Sequence, residues 1–566
     1  MYQLTKNKAN STPLTPLTFL DRAAIVYGDS TSILYGDSIS YTWSQTHRRC
    51  LQLASSLSSL GIKKGHVVSV LSPSTPAMYE LQFAVPMSGA ILSNLNFRLD
   101  DKSLSVILIH SESKLVFVDI LSLSLIIDAL DLFPENIQRP ELVLINDDTL
   151  APRQIPALPK SVYVINNTYE CLIARGDPNF KWIRPDSEWD PITLNYTSGT
   201  TSSPKGVVHC HRAAFIVSFD SLIDWSVPNQ PVYLWTLQMF HSNGWSYPWG
   251  MAVVGGKNIC TRKLDAPTIY SLIETHGVTH MCAAPVVLNI LLNFNKATPL
   301  KNIVHVLTGG SSPPAAILTR AEELGFNVSH GFGMTELIGV IISCAWKRGW
   351  DRLSATEKAR LKARQGVRKA GVAEVDVVGA NGESVKRDGV TVGEIVVRGA
   401  CVMLGYLKDE VATAQCLREN GWFYTGDVAV MHEDGYLEIK DRIKDVIISG
   451  GENMSSVEVE AVLYMHPAVK EAAVVARPDE FWGETPCAFV SLKDKLKEKE
   501  IPTEKEIKEF CVEKLPRFMI PKTIVFRDEL PKTSTGKIQK HVLRKVAGEM
   551  GSLSLPPPQQ LLSSRI

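Results

Sequence analysis

Four short segments hold the residue types that can do chemistry. The first is Tyr196-Thr197-Ser198-Gly199-Thr200-Thr201-Ser202-Ser203-Pro204-Lys205-Gly206-Val207. Small residues let backbone N–H groups approach phosphate oxygens, and the hydroxyls add donors. Lys205 adds a compact positive charge suited to phosphate. The order G-x-x-x-x-G-K-[ST] is absent, so this is not a Walker loop, and a merely flexible polar loop is the competing reading. The second segment is His330-Gly331-Phe332-Gly333-Met334-Thr335-Glu336. An aromatic ring between glycines can lie against a base, and the carboxylate beyond it can hold Mg²⁺, which takes oxygen ligands. A surface carboxylate is the plainer reading of Glu336 alone. The third pairs Tyr424-Thr425-Gly426-Asp427 with Asp441-Arg442-Ile443-Lys444-Asp445. A carboxylate and a guanidinium fork can grip ribose hydroxyls, or simply pair with each other. The fourth, Pro531-Lys532-Thr533-Ser534-Thr535-Gly536-Lys537-Ile538, sets a lysine on a turn.

The elements that must position these residues alternate. Residues 67–71, 114–118, 141–145 and 303–307 read as buried strands, and 76–88 as a helix. Residues 192–195 are strand-like and lead into the first segment. Short β-branched runs between helices predict an α/β fold with a mixed or parallel sheet. Beyond residues 441–451 the pattern becomes a compact unit, with helices over 456–464 and 503–515 and strands over 472–476 and 487–492. This predicts three parts: 1–440, 441–553 and a Pro/Ser-rich tail, 554–566. Residues 346–370 hold nine basic and two acidic residues. There Ser354-Ala355-Thr356-Glu357 reads as a capping box opening a short helix that Gln365-Gly366 would close. That helix is either a solvated face or a docking surface for CoA phosphates or a partner.

Composition removes other classes. Lys+Arg and Asp+Glu are equal at 59 each in 566 residues, which gives no support to a nucleic-acid partner. The ten cysteines form no Cys-x-x-Cys pair, so structural zinc and a disulfide framework are not expected. No apolar run is long enough to span a bilayer. The chain closes on Ser564-Arg565-Ile566, similar to the Ser-Lys-Leu address that a peroxisomal import receptor reads. The expected location is therefore the peroxisome, with the cytoplasm as the alternative.

In this order and at these separations, the four segments resemble the adenylate-forming superfamily of acyl-CoA synthetases, luciferases and peptide-synthetase adenylation domains. The resemblance spans roughly residues 17–546. Within it the chain looks most like plant acyl-activating enzymes, including peroxisomal ligases of short-chain, medium-chain and aromatic acids. Met239-Phe240-His241-Ser242-Asn243-Gly244-Trp245 and the basic stretch support that placement.

The resemblance implies a large N-terminal domain of α/β subdomains and a small, mobile C-terminal α+β domain. It implies ATP and CoA as co-substrates, Mg²⁺ as cofactor, and a carboxylic acid joined first to AMP and then to CoA. Thr197, Ser198, Gly199, Thr200, Thr201, Ser202 and Lys205 would bind phosphates. Gly309, Gly310, Ser311, Gly331, Phe332 and Gly333 would frame adenine. Thr335 would touch the α-phosphate, and Glu336, with Thr197, would hold the metal. Asp427 and Arg442 would hold the ribose. Lys444 would be the hinge, and Lys537 the catalytic lysine of the first half-reaction. Gly450, Gly451 and Glu452 would lie near the pantetheine. His241, Trp245, Gly309, Gly333 and Val340 would border the acyl pocket, whose bulky residues suit a short, branched, medium-chain or aromatic acid. An adenylating enzyme with another acceptor, and a nucleotide-binding protein without catalysis, are the alternatives.

Overall fold

The computed structural model describes residues 7, 9–36, 39–147, 168–197, 204–294, 298–309, 315–362, 364–449, 452–493, 496, 500–533 and 537–553. Two large sheets dominate the N-terminal part. One runs, edge to edge, Gly405–Tyr406, Gly206–Cys210, Pro191–Tyr196, Ile91–Asn94, Val67–Leu71, Leu115–Asp119 and Glu141–Ile145. The other runs Val367–Arg368, Gly339–Ser343, Phe326–Met334, Val304–Gly309, His280–Ala283, Val232–Leu234, Lys257–Cys260, Thr31–Tyr35 and Ile39–Thr42. The inner strands of each are parallel, and antiparallel pairs close every edge except that at Glu141–Ile145, which pairs parallel. Parallel strands need helical crossovers, which cover both faces and account for the uniformly apolar runs.

Between the sheets lies the helix Pro76–Met87. Thr75 caps it, accepting the Met78 N–H at 3.4 Å, and Pro76 opens it with a pre-set φ. All twelve of its residues are buried, even Glu80 and Gln82. Glu80 is tolerable there because Arg49 grips both its oxygens, at 2.6 and 3.1 Å, and Tyr169 donates to it at 2.7 Å. A second clamp joins the sheets: Arg262, beyond Lys257–Cys260, donates to Asp119 and Asp147, each at 2.5 Å.

An antiparallel four-stranded sheet follows, Glu374–Val378, Val392–Arg398, Phe423–Met431 and Leu437–Arg442. The C-terminal unit has its own sheet of Glu452–Met454, Ile447–Ser449, Gly483–Leu492, Val469–Asp479 and Thr523–Phe526, with its own apolar core. The molecule is a mixed α/β protein with a large N-terminal and a small C-terminal unit.

Two sequence expectations need adjustment. The capping box is formed, with Ser354 and Glu357 exchanging bonds at 3.0 and 3.3 Å. Its helix, however, ends at Lys362, and Gly366 does not close it. Gly366 instead pairs with Leu437 at φ +105°, because a Cβ there would lie 1.9 Å from the Ser343 carbonyl oxygen. The strand Leu437–Arg442 also runs across the expected 440/441 division, so the passage to the C-terminal sheet falls at 443–446. Within the basic stretch, Lys347 and Arg364 pair with Asp434, Lys362 pairs with Glu322, and Lys369 is buried.

Candidate active site

The first segment is the turn of a hairpin. Pro191–Tyr196 and Gly206–Cys210 pair antiparallel, with Tyr196 opposite Gly206. The Thr197 N–H then donates to the Lys205 carbonyl at 3.0 Å. This closes the base of the loop. Ser198, Gly199, Thr200, Thr201 and Ser202 lie outside the described residues. Lys205 Nζ lies 4.7 Å from the centre of the Tyr406 ring, within cation–π range.

Tyr406 links this lysine to the second segment. Its strand pairs with the outer strand of the hairpin, Tyr406 opposite Val207. Its hydroxyl donates to Glu336 Oε1 at 2.9 Å. Glu336 is only 7% exposed, and burial pushes its carboxyl above the usual range, opposed by the Tyr406 hydrogen bond and by Arg442. The turn Thr335–Leu337 that carries it is fixed from both sides. His209 Nε2 donates to the Thr335 carbonyl at 2.7 Å, and the Met403 N–H donates to the Glu336 carbonyl at 2.9 Å. Burial drops His209 to about 4, so the ring is neutral and its one N–H belongs on Nε2.

Gly309 and Gly331 face each other on adjacent parallel strands. Close approach explains the glycines of the second segment. A Cβ on Gly331 would lie 2.5 Å from Val340 Cγ1, and one on Gly333 only 1.8 Å from the Gly339 carbonyl oxygen. Phe332 belongs to the main core with 7% exposure, so only a small part of its ring is open to a base. Gly310 and Ser311 lie outside the described residues.

Asp427 and Arg442 sit opposite each other on antiparallel strands, Nε to Oδ1 at 3.2 Å. Asp427 is 5% exposed; burial raises its carboxyl, opposed chiefly by Arg442. Gly426 is needed before it, because φ there is +73°. Lys444 follows in the turn after the strand, its ammonium lowered by burial and by Arg442 and Arg544.

Lys537 reaches the same place from the C-terminal unit. Thr533 and Lys537 close its turn, with the Thr533 N–H donating to the Lys537 carbonyl at 2.7 Å. Its side chain is reached by solvent, yet surrounding protein partly desolvates the ammonium. That desolvation, then Arg442, lowers its ammonium to about 8, with Asp427 opposing. Ser449 and Glu452 pair at the base of another hairpin, whose tip residues Gly450 and Gly451 lie outside the described residues.

On the acyl side the backbone is unusual. Ser242, Asn243, Gly244, Trp245 and Ser246 all have positive φ, from +31° to +72°. Four of them are not glycine, and each such residue costs on the order of 1–2 kcal/mol. Side chains hold the turn. Asn243 bonds to Asn195 and Gln82, and Ser246 Oγ donates to the Ile338 carbonyl at 3.2 Å. Trp245 lies over two glycines: a Cβ on Gly309 would be 3.1 Å from its ring, and one on Gly339 would be 3.4 Å from its Cα. His241, beside Phe240, is pushed to about 4 by burial and then Arg98, so it is neutral. Val340 is buried.

The structure therefore brings Lys205 and Glu336 together through Tyr406, pairs Asp427 with Arg442, and sets Lys537 within electrostatic range of that pair. The family model for AMP-binding enzymes matches residues 19–407, and that for the AMP-binding enzyme C-terminal domain matches 458–537. The chain belongs to the AMP-binding enzyme family. It is 64% identical to 2-methylpropanoate–CoA ligase of Humulus lupulus over 98% of each chain. It is 62% identical to a protein of Arabidopsis thaliana named probable acyl-activating enzyme 5, peroxisomal, over 98% of this chain and all of that one. Its fold matches the anthranilate CoA ligase AuaEII in complex with anthranoyl-AMP, with TM-score 0.81, 24% identity, and 96% and 99% of the two chains covered. It matches ATP-bound MatB of Rhodopseudomonas palustris at TM-score 0.80, 22% identity, and 94% and 99% coverage. This AMP-binding enzyme is an adenylate-forming acid–thiol ligase, with a carboxylic acid, ATP and CoA as substrates. No helix among the described residues is long and apolar enough to cross a membrane.

Tyr406, His209, Asn195, Asn243 and Gln82 belong to the site's architecture but carried no role in the sequence reading. Tyr406 lies in Gly405-Tyr406, which marks only a turn, and the asparagines meet only through the tertiary fold.

Proposed function

We propose that the enzyme activates a short, branched-chain acid, with medium-chain and aromatic acids as weaker substrates. Two parts of the chain divide the work: the expected 1–440 part, which its last strand extends to Arg442, and the remainder to 553 as a mobile lid, the 554–566 tail lying outside the described residues. The observation that carries the reading is that Lys537, from the C-terminal unit, lies within electrostatic range of the Asp427–Arg442 pair. That is where a lysine must lie to meet a nucleotide whose ribose the pair holds.

In the first half-reaction the carboxylate attacks the α-phosphorus and pyrophosphate leaves. Two like unit charges 4 Å apart repel by ~4 kcal/mol at an effective dielectric of 20, so cations must meet them. Lys537 offsets charge at the reacting centre. Lys205 and the hydroxyls of the Thr197–Ser202 loop hold the departing phosphates, while Thr335 holds the α-phosphate. Glu336 fits Mg²⁺: it is a buried carboxylate with one oxygen steadied by Tyr406. Among the described residues, no group of three or more His, Cys, Asp and Glu could cage a metal. Glu336 and the Thr197 hydroxyl would hold such a cation alongside the phosphates. When bound, Mg²⁺ supplies charge neutralisation of the phosphates.

In the second half-reaction the CoA thiol attacks the acyl carbonyl and AMP leaves. Rotation about Lys444 withdraws Lys537 and brings Gly450, Gly451 and Glu452 to the pantetheine. Gly309, Gly331, Phe332 and Gly333, with Gly310 and Ser311, frame the adenine.

His241, Trp245, Gly309, Gly333 and Val340 border the acid. The Humulus lupulus relative's name supports a branched four-carbon acid as the first to test. Pyrophosphate release should be measured from acetate to decanoate, with branched, benzoic and cinnamic acids alongside. Highest kcat/KM for a short branched acid is expected; a preference for long straight chains would overturn the assignment. AMP release that does not accelerate with CoA would point to another acceptor. The Arabidopsis relative's name supports a peroxisomal location, for which Ser564-Arg565-Ile566 would be the address.

A further inference from the structure

We infer that Asn243, clasped between Asn195 and Gln82, is a positioning residue that couples the phosphate-loop hairpin to the acyl-side turn. The inference rests on the proposed reading of His241 and Trp245 as walls of the acyl site. Asn195 is the second-last residue of the strand Pro191–Tyr196, just before the loop. Its Nδ2 donates to Asn243 Oδ1 at 2.6 Å. Asn243 Nδ2 in turn donates to Gln82 Oε1 at 2.8 Å, an oxygen that also receives Asn94 Nδ2 at 3.1 Å. Gln82 Nε2 donates to the Met78 carbonyl at 3.0 Å, anchoring the chain on the buried helix. All four amides are 4% exposed or less.

Buried amides are expensive unless bonded, so their survival here wants a reason. A solely structural network would leave each of its members satisfied. This one leaves Asn195 Oδ1 without a partner, so its orientation is set by what Asn243 needs. Asn243 needs it because its φ is +44°, second in a run of five consecutive positive-φ residues. The other end of the turn reaches the second nucleotide segment, where Ser246 bonds the Ile338 carbonyl just beyond Thr335–Leu337. One strained turn is thus tied to both nucleotide-holding segments and carries Trp245 against Gly309 and Gly339. A shift of the phosphate hairpin is transmitted to the acyl wall, and the reverse.

The test uses the full-length enzyme and pyrophosphate release. Asn195→Ala cuts the contact from the nucleotide side. Asn243→Gly cuts it from the acyl side while keeping a backbone that accepts positive φ. Asn195→Ala should raise the KM for the acid about fivefold and widen the range of chain lengths accepted, and Asn243→Gly should raise the KM for ATP about as much. The double variant should be no worse than the more damaged single one, since both remove one contact. Effects confined to each residue's own side, or multiplying in the double variant, overturn the coupling. Should either variant fail to fold, Gln82→Met breaks the chain from the helix at similar volume. It should show both KM effects, and wild-type constants would overturn the proposal. Trp245→Ala keeps the two readings apart. An unchanged acid preference there removes the acyl-wall assignment, while the ATP effect of Asn243→Gly still judges the coupling.

Discussion

The charge on Lys537 depends on its surroundings. Its ammonium is lowered to about 8 by desolvation and then by Arg442, so it is charged below that pH and neutral above it. The charged form is the one that offsets phosphate charge. The kcat/KM for ATP in pyrophosphate release should therefore fall as pH rises through about 8. Lys537→Ala should lower adenylation by ~10² or more and abolish that alkaline limb. Thioester formation from supplied acyl-adenylate should be largely spared; equal damage to both half-reactions removes the assignment. Tyr406→Phe takes one hydrogen bond from the buried Glu336 carboxylate and leaves the ring under Lys205. A charge-assisted bond of this kind is worth ~1.5–3 kcal/mol, so the KM for ATP at fixed magnesium should rise about tenfold or more. Titration of KM against magnesium checks it, and a wild-type profile would show that Glu336 needs no orienting partner.

The elements explain which residues could be read in advance. The phosphate hairpin, the turn at Thr335–Leu337 and the Asp427–Arg442 strand pair each put their chemistry within a few contiguous residues. Their types and spacing were therefore visible in the chain. The helix Ser456–Tyr464 and the strand Val67–Leu71 also fell where periodicity put them. The strands Val469–Asp479 and Gly483–Leu492 are longer than their apolar cores, because polar residues at their ends continue the ladder. Tyr406 was invisible because its partner Glu336 lies 70 residues away and reaches it through an edge pairing. The left-handed turn was invisible too, since Ser-Asn-Gly-Trp-Ser spells an ordinary turn and only the packed amides hold it open. Glycines 331 and 333 were legible as glycines, but the close strand approach that also requires them was not. Gly333→Ala should therefore cost ~1–3 kcal/mol of stability by overpacking, read as a lower midpoint in thermal or urea unfolding. An unchanged midpoint would mean the Gly339 carbonyl can move aside.

At the scale of the whole molecule, one arrangement cannot serve both half-reactions. The proposed role of Lys537 beside Asp427 and Arg442 belongs to adenylation alone. Lys444→Pro restricts the dihedral change at the turn between the units. It should keep pyrophosphate release within a few-fold and slow thioester formation by ~10², as expected where gating is the slow step. Intact thioester formation would move the hinge elsewhere. Covering Ile566 with a C-terminal tag should block peroxisomal import in cells, and unchanged import would count against the tail as the address.

The helix Pro76–Met87 presents no face to water. Such a helix gains little by forming early, since every side of it requires a neighbour, and those neighbours come from both large sheets. The N-terminal part should accordingly unfold in one step and resist being split into two independently expressed halves. Gln82, the anchor of the amide chain, sits on this helix. The active site therefore reaches its working shape only after both sheets have closed around it, and a nascent chain that has made one sheet alone holds no half-built catalyst.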